Sequence, residues 1–543
     1  MILLLLACAG GSRGELSSDV VSIRVTPEDS VLEVRNGQPA DLSFQAFATN
    51  PDGEEAPLDL VSWSSSNLSV GEMDPDGWFQ SVDSNGGVTE IVATHLDVQG
   101  SVLLTIVYRD ELLLDGLPES LVQAWPDTGA SLGGPELSYP ESGVRVPRNV
   151  EGLPFIWDEG GAGRVYRLRF QSNITDISVY TQQADYRATS ELWAQIAAAN
   201  RSGSVQVSVT SAAWDGSSVT DLQAGFPIEV QVDRLDARGS VLYWATSERG
   251  ILRLPFGSAE PELFWEGQDG AQCVGCHVVS GDDMVVSHDG INGVFSVVDI
   301  SDPEDPVQVV DPQDNKRFTF KTVSPDGRYI LGAGQGQLTL YNLETGSTVG
   351  ERDIEGYVTM PDWSPDGQDI VMVRVQQGHK DDWGFEYGEI IQVPVLDDGR
   401  LGNPEVLVAS DGQNNLYYPA YSPDGAWVAY NRAQGAAYAN SNAQLWLSSR
   451  DGQIQLPLDA ANQGGGLQNS YPRWGPLPDD DVLWLAFSSK RQLPWTTFRM
   501  PQIWLTAIDP ALLEQDQDPS SPAFWLPGQD VESDNHLPVW WDR

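Results

Sequence analysis

The sequence predicts an all-β protein: two β-sandwich domains followed by a six-bladed β-propeller closed by the C-terminal strand. Three observations predict this. Short segments alternate apolar and polar residues at a period of two, with turn residues between them. The tetrapeptide Ser-Pro-Asp-Gly recurs at 324–327, 364–367 and 422–425, each time before an apolar strand, as expected of a repeated multi-stranded unit. A helical pattern is confined to one short run, Ser190–Ala197, with Ser190 placed to cap it.

Composition narrows the classes of partner. The 543 residues include 41 % hydrophobic side chains and 19 tryptophans, ample for several packed cores. Thirty Lys and Arg face 78 Asp and Glu, a net charge of −48 that argues against nucleic acid and anionic lipid surfaces. It suits cationic partners or divalent ions. No apolar run approaches the roughly 20 residues of a membrane span.

At the N-terminus, Met1-Ile2-Leu3-Leu4-Leu5-Leu6-Ala7-Cys8 resembles the end of a bacterial lipoprotein signal peptide, with Leu5-Leu6-Ala7-Cys8 as its lipobox. The resemblance implies that Cys8 becomes a lipidated N-terminus, that residues 1–8 are signal and anchor, and that 9–19 are a linker. Residues 20–108 carry alternating strands: Val21–Val25, Leu42–Phe47, Val61–Asn67 and Val102–Val107, with turns at Asn50-Pro51-Asp52-Gly53 and Gly86-Gly87. This order, and the stretch Trp63-Ser64-Ser65-Ser66-Asn67 above all, is similar to a bacterial Ig-like domain of the Big2 type. That resemblance implies a β-sandwich used as a spacer.

Residues 109–140, rich in Pro, Gly, Asp and Glu, read as a linker. A second β-rich unit occupies 141–235, with strands at Pro154–Trp157, Val165–Phe170, Ile177–Tyr180 and Val205–Val209. A tryptophan-bearing strand followed by a Tyr/Leu/Phe alternation resembles a fibronectin type III sandwich.

From 236 to 543 the repeat takes over. Proline presets φ and glycine supplies the left-handed position, so Ser-Pro-Asp-Gly is hairpin chemistry, and its aspartates are turn formers before they are metal ligands. Multi-stranded repeats of this length mean propeller blades. The motifs resemble the PD40/WD40-like repeats of the TolB family, which implies six blades. Counting strands also yields six: Val241–Trp265, 273–311, 318–354, 357–409, 416–459 and 470–528. The remaining Leu537-Pro538-Val539-Trp540-Trp541 then supplies the innermost strand missing from the first blade.

Inside this repeat stands Cys273-Val274-Gly275-Cys276-His277, the C-x-x-C-H attachment signature of a c-type haem. Each thiol would form a thioether to a vinyl group, and His277 would ligate the iron. A Cys273–Cys276 disulfide is the alternative, and zinc is weaker because no second Cys/His pair completes four ligands. Aligning the blades places Cys276 with Phe320, Met360, Tyr418 and Tyr471, and His277 with Lys321, Pro361, Pro419, Pro472 and Pro538, at the mouth of the central channel. His536, on the returning C-terminal strand, is the first candidate for the distal iron ligand and Met360 the second. His379 lies in a long loop of the fourth blade.

Two functions follow. One is an exported, lipid-anchored protein of the cell envelope that carries one haem c for electron transfer or redox sensing, with a redox partner. The other is a non-catalytic, TolB-like scaffold that binds an envelope protein. An enzyme is disfavoured: the acidic pairs Asp282-Asp283 and Asp381-Asp382 are adjacent, and adjacent carboxylates on a strand point to opposite faces.

Overall fold

The computed structural model describes residues 20–543 apart from 160, 162, 267–273, 289–293, 311–317, 353, 377–380, 397–399, 465–466, 478–481 and 497–498. Cys8, Cys273 and His379 therefore lie outside the described residues. Strands dominate, as the alternating pattern predicts.

The N-terminal half departs from the expected organisation at its linker. The strand Val98–Leu113 runs straight through the boundary placed at 109. It pairs with Gly87–His95 and Ser30–Arg35 on one side of the boundary and with Thr175–Thr181 on the other, so strands from both units share one sheet. The physical reason is that its apolar alternation, with Leu104, Ile106 and Tyr108 buried, carries on into a charged segment whose partners lie across the sheet. Arg109 pairs with Glu33 at 3.1 Å and with Asp176, which Arg169 also holds at 2.6 Å. Parts of 109–140 on either side of the exposed stretch 126–133 are packed as well. A helix at Glu119–Ala124 buries Leu121, and Trp125 meets Tyr180 edge-on at 5.4 Å. The predicted helix spans Ser190–Ala199, but its cap is Thr189, whose hydroxyl accepts from the Leu192 N–H; Ser190 instead donates to Glu151.

Residues 240–543 form six four-stranded antiparallel sheets. Each of the last five is built from consecutive strands, beginning with Val274–Ser280, Phe320–Val323, Tyr357–Trp363, Asn415–Tyr421 and Ser470–Trp474. The first contains Ser240–Ala245, Gly250–Pro255 and Glu262–Trp265, and its fourth strand is Asn535–Trp541 from the other end of the chain. The innermost strands touch in cyclic order, with Asn535–Trp541 lying between those of the sixth and second sheets.

Local chemistry builds each hairpin. Ser324, Ser364 and Ser422 donate to Asp326, Asp366 and Asp424 at 2.6, 2.7 and 2.5 Å, and each serine oxygen accepts the N–H five residues on. The glycines close the turns at φ of +71, +74 and +70°. One clamp ties the third sheet to the fourth. Buried Asp382 accepts from Thr319 Oγ1 (2.7 Å), Gln335 N (2.7 Å), Gly336 N (3.1 Å) and Tyr357 OH (2.9 Å). The end of the 109–140 segment docks on the sixth sheet, where Tyr139 accepts the Trp525 N–H at 2.8 Å and meets Trp495 and Trp504 edge-on.

Candidate functional site

The innermost strands share a distortion halfway along. Cys276, Met360, Tyr418, Tyr471 and Leu537 have φ of +43, +52, +51, +56 and +55°, a left-handed conformation that non-glycine residues rarely adopt. The strand register shifts at each of these places, which makes them β-bulges. The next residue is Pro361, Pro419, Pro472 or Pro538, which has no N–H to leave unpaired, or His277. The third sheet is the exception, with Phe320 and Lys321 in regular pairing. The column found by aligning repeats is thus one structural layer.

This layer forms the floor of the channel. Its side chains leave a cavity of about 40 Å³, lined by Cys276, His277, Lys321, Met360, Tyr418 and Tyr471 among others. Tyr418 and Tyr471 stack at 4.1 Å, and the Tyr418 hydroxyl donates to that of Tyr471 at 2.9 Å. The Met360 sulfur accepts the Tyr418 N–H at 3.4 Å. Lys321, buried, donates to Ser287 Oγ at 2.7 Å and to the carbonyl of Cys276. Burial pulls its ammonium down to about 8.

His277 is 3 % exposed and its two ring nitrogens have no hydrogen-bond partner of ordinary geometry. Burial pushes its pKa down to about 3; the Leu242 main chain opposes the shift, while Lys321 and Arg473 reinforce it, so the ring is neutral. The Leu242 main chain is thus the polar group that faces this imidazole in the floor.

His536 does not join it. Its ring stacks on Trp244, with centroids 6.1 Å apart, and it is Leu537 that lines the floor cavity. His536 is one residue away from the bulge position that faces the channel. Met360 does face the floor, with its sulfur already engaged. The acidic pairs are also accounted for: Asp382 is the inter-sheet clamp, and Asp282 pairs with Arg543 at 2.7 Å.

A haem meets two opposite conditions here. The donor chemistry suits it, since Cys276 lines the floor beside the neutral imidazole of His277. The space does not, because a pocket for even a drug-sized ligand holds about 300 Å³ or more, and the floor cavity is nearly an order of magnitude smaller.

Beyond the floor the channel opens. The residues that follow the bulges, on the side of the Ser-Pro-Asp-Gly turns, line a funnel of about 550 Å³. Four tryptophans stand in its wall with their N–H groups anchored on carbonyls: Trp363 on Gly367, Trp474 on Ala420, Trp540 on Arg238 and Trp541 on Gly281, at 2.8–3.3 Å. Half-buried Asp362 accepts the Tyr421 N–H at 2.8 Å, and burial raises its carboxyl above the usual range against the pull of Arg473. Arg473 lines both the funnel and the floor cavity, and so stands at the base of the funnel. It donates to the Pro472 carbonyl at 3.1 Å and forms no ion pair among the described residues. Sequence reading missed Arg473 and Asp362, because only the ring brings their sheets together.

No known family profile matches the chain. The Tol-Pal system protein TolB of Anaeromyxobacter dehalogenans is 26 % identical over 124 residues, which are 22 % of this chain and 23 % of that protein. The match thus spans less than a quarter of the curated relative. TolB from Acinetobacter baumannii superposes with a TM-score of 0.40 at 11 % identity, covering 62 % of this chain and 79 % of that one. The putative TolB from Agrobacterium tumefaciens does so with a TM-score of 0.32 at 18 % identity, covering 54 % and 89 %. With its six four-stranded sheets and this sequence match, the C-terminal part of the chain is a TolB-like β-propeller.

Proposed function

We propose that the protein is a binding scaffold of the bacterial cell envelope, whose propeller receives part of a partner protein in the funnel. The observation that carries this reading is the funnel itself: about 550 Å³, walled by anchored tryptophans, and stopped below by the bulge layer. Such a pocket takes a ligand end-on, with the tryptophan rings for contact area and a largely polar lining, Asp362 and Arg473 included, for orientation. In this reading Cys8 carries the lipid that holds the chain to the membrane, residues 20–108 serve as an Ig-like spacer, and Asn535–Trp541 closes the ring. The sequence match to a Tol-Pal protein supports an envelope setting. Cys8→Ser should release the chain into the soluble fraction. The test of the funnel is a photo-crosslinking amino acid at Val539, on its wall, and at Leu263, exposed on the outer strand of the first sheet. Adducts in the envelope fraction are expected at Val539 and not at Leu263. Equal labelling, or none, overturns the reading.

A second reading is favoured by the neutral, buried imidazole of His277 beside Cys276 at the floor: a haem c bound through Cys273 and Cys276, with His277 on the iron, for electron transfer. It requires a floor arranged differently from the packed one. Expression with a c-type haem maturation system, followed by a pyridine haemochrome, decides it. Covalent haem lost in Cys273→Ala/Cys276→Ala supports the reading, and a colourless protein removes it.

A further inference from the structure

We infer that the funnel recognises the free C-terminal carboxylate of a partner whose last residues are apolar. The inference rests on the funnel being the binding face and adds what it binds. Arg473 and Arg543 are the two guanidinium groups on its lining, and Arg543 is occupied, bonded to Asp282 at 2.7 Å and to the Ser301 carbonyl at 3.0 Å. Among the described residues, Arg473 at the base donates to the Pro472 carbonyl and forms no ion pair, with Asp362 as its acidic neighbour. A guanidinium has five donors in a planar fork that matches a carboxylate, and Arg473 has most of them left for one.

The surroundings select the rest of the ligand. The floor blocks passage, so the group that reaches Arg473 is a chain end and not the middle of a polymer. Above it, Trp363, Trp474, Trp540 and Trp541 offer an apolar wall for the side chains that precede the carboxylate. A polyanion is repelled by the net charge of −48, whereas a single carboxylate on a neutral or basic segment is not. Asp362, on the same wall, opposes a second negative charge and accepts from the N–H groups of an entering backbone.

The test uses the full chain and two peptides, acetyl-Gly-Gly-Leu-Phe with a free carboxylate and the same peptide as its carboxamide, titrated by calorimetry. The free acid should bind at least tenfold more tightly than the amide. Arg473→Gln should bring the acid to the level of the amide. Asp362→Asn, which removes the competing negative charge and keeps an acceptor for Tyr421, should tighten binding of the acid and leave the amide unchanged. That variant keeps the proposal testable even where Arg473→Gln misfolds. Equal affinity for acid and amide overturns the carboxylate assignment. Binding of 3-phenylpropionate as tight as that of the peptide acid overturns the peptide-end assignment in favour of a free small acid. Failure of both peptides to bind while the Val539 crosslink persists overturns this inference alone; loss of both removes the scaffold reading too.

Discussion

Replacing Asp382 by alanine removes one carboxylate and strands four donors from two sheets: Thr319 Oγ1, Gln335 N, Gly336 N and Tyr357 OH, at 2.7–3.1 Å. Hydrogen bonds to a charged acceptor are worth about 1.5–3 kcal/mol each, so four would sum to roughly 6–12 kcal/mol if they added. They do not add, because the donors relax toward water and toward one another. Loss of one member of a buried charged network costs about 3–5 kcal/mol, and that is the expected destabilisation of Asp382→Ala. Asp382→Asn keeps the shape and one carbonyl acceptor but turns an NH₂ toward donors, so it should cost about 1–3 kcal/mol. Urea unfolding followed by tryptophan fluorescence reads both. A loss below about 1 kcal/mol for alanine, or an asparagine as damaging as alanine, would refute the clamp as the tie between these sheets.

Three further outcomes are expected. Gly336 stands at φ +76° with the Tyr357 ring 2.4 Å from where a Cβ would lie, so Gly336→Ala should cost about 2–4 kcal/mol in the same assay. Burial raises the Glu141 carboxyl above its usual range, against the pull of buried Arg491. The folded state therefore holds that proton longer than the unfolded chain does, and the Glu141 contribution becomes less favourable as pH rises through the carboxylate range. The stability of Glu141→Gln relative to wild type should accordingly be greater at pH 7 than at pH 4, and a pH-independent difference would contradict the assignment. Deleting 535–543 removes the inner strand of the first sheet, and should abolish cooperative unfolding of the propeller in a calorimetric scan.

The propeller was legible because its turn chemistry sets a register. Once Ser280, Ser324, Ser364 and Ser422 are superposed, counting back places Cys276, Phe320, Met360 and Tyr418 in one layer, and all but Phe320 share the left-handed bulge. The bulge also limits what counting can say. It inserts a residue and shifts the side-chain alternation, so His536 comes near the floor in chain path while Leu537 takes the lining position. The boundary at 109 failed for a different reason. Charged and turn-forming residues mark linkers only when nothing pairs with them, and Arg109 finds Glu33 and Asp176, residues distant in sequence. Asp382 reads as half of a carboxylate pair until the loop that carries it is folded against Thr319 and Tyr357. Arg473 and Asp362 had no local signal at all, being ordinary strand residues that become a site only through the ring.

The pairing of Ser240–Ala245 with Asn535–Trp541 also orders events in time. Ser240 donates to the carbonyl of Arg543, 303 positions away. During synthesis, the first sheet therefore has a bare inner edge until residues 535–541 have emerged. Loop-closure entropy grows only slowly with length, so the late join is affordable at equilibrium, but it is slow and exposes an unpaired strand meanwhile. A chain interrupted between residues 245 and 535 presents that edge to chaperones and proteases, which makes this strand a check that the propeller has been completed.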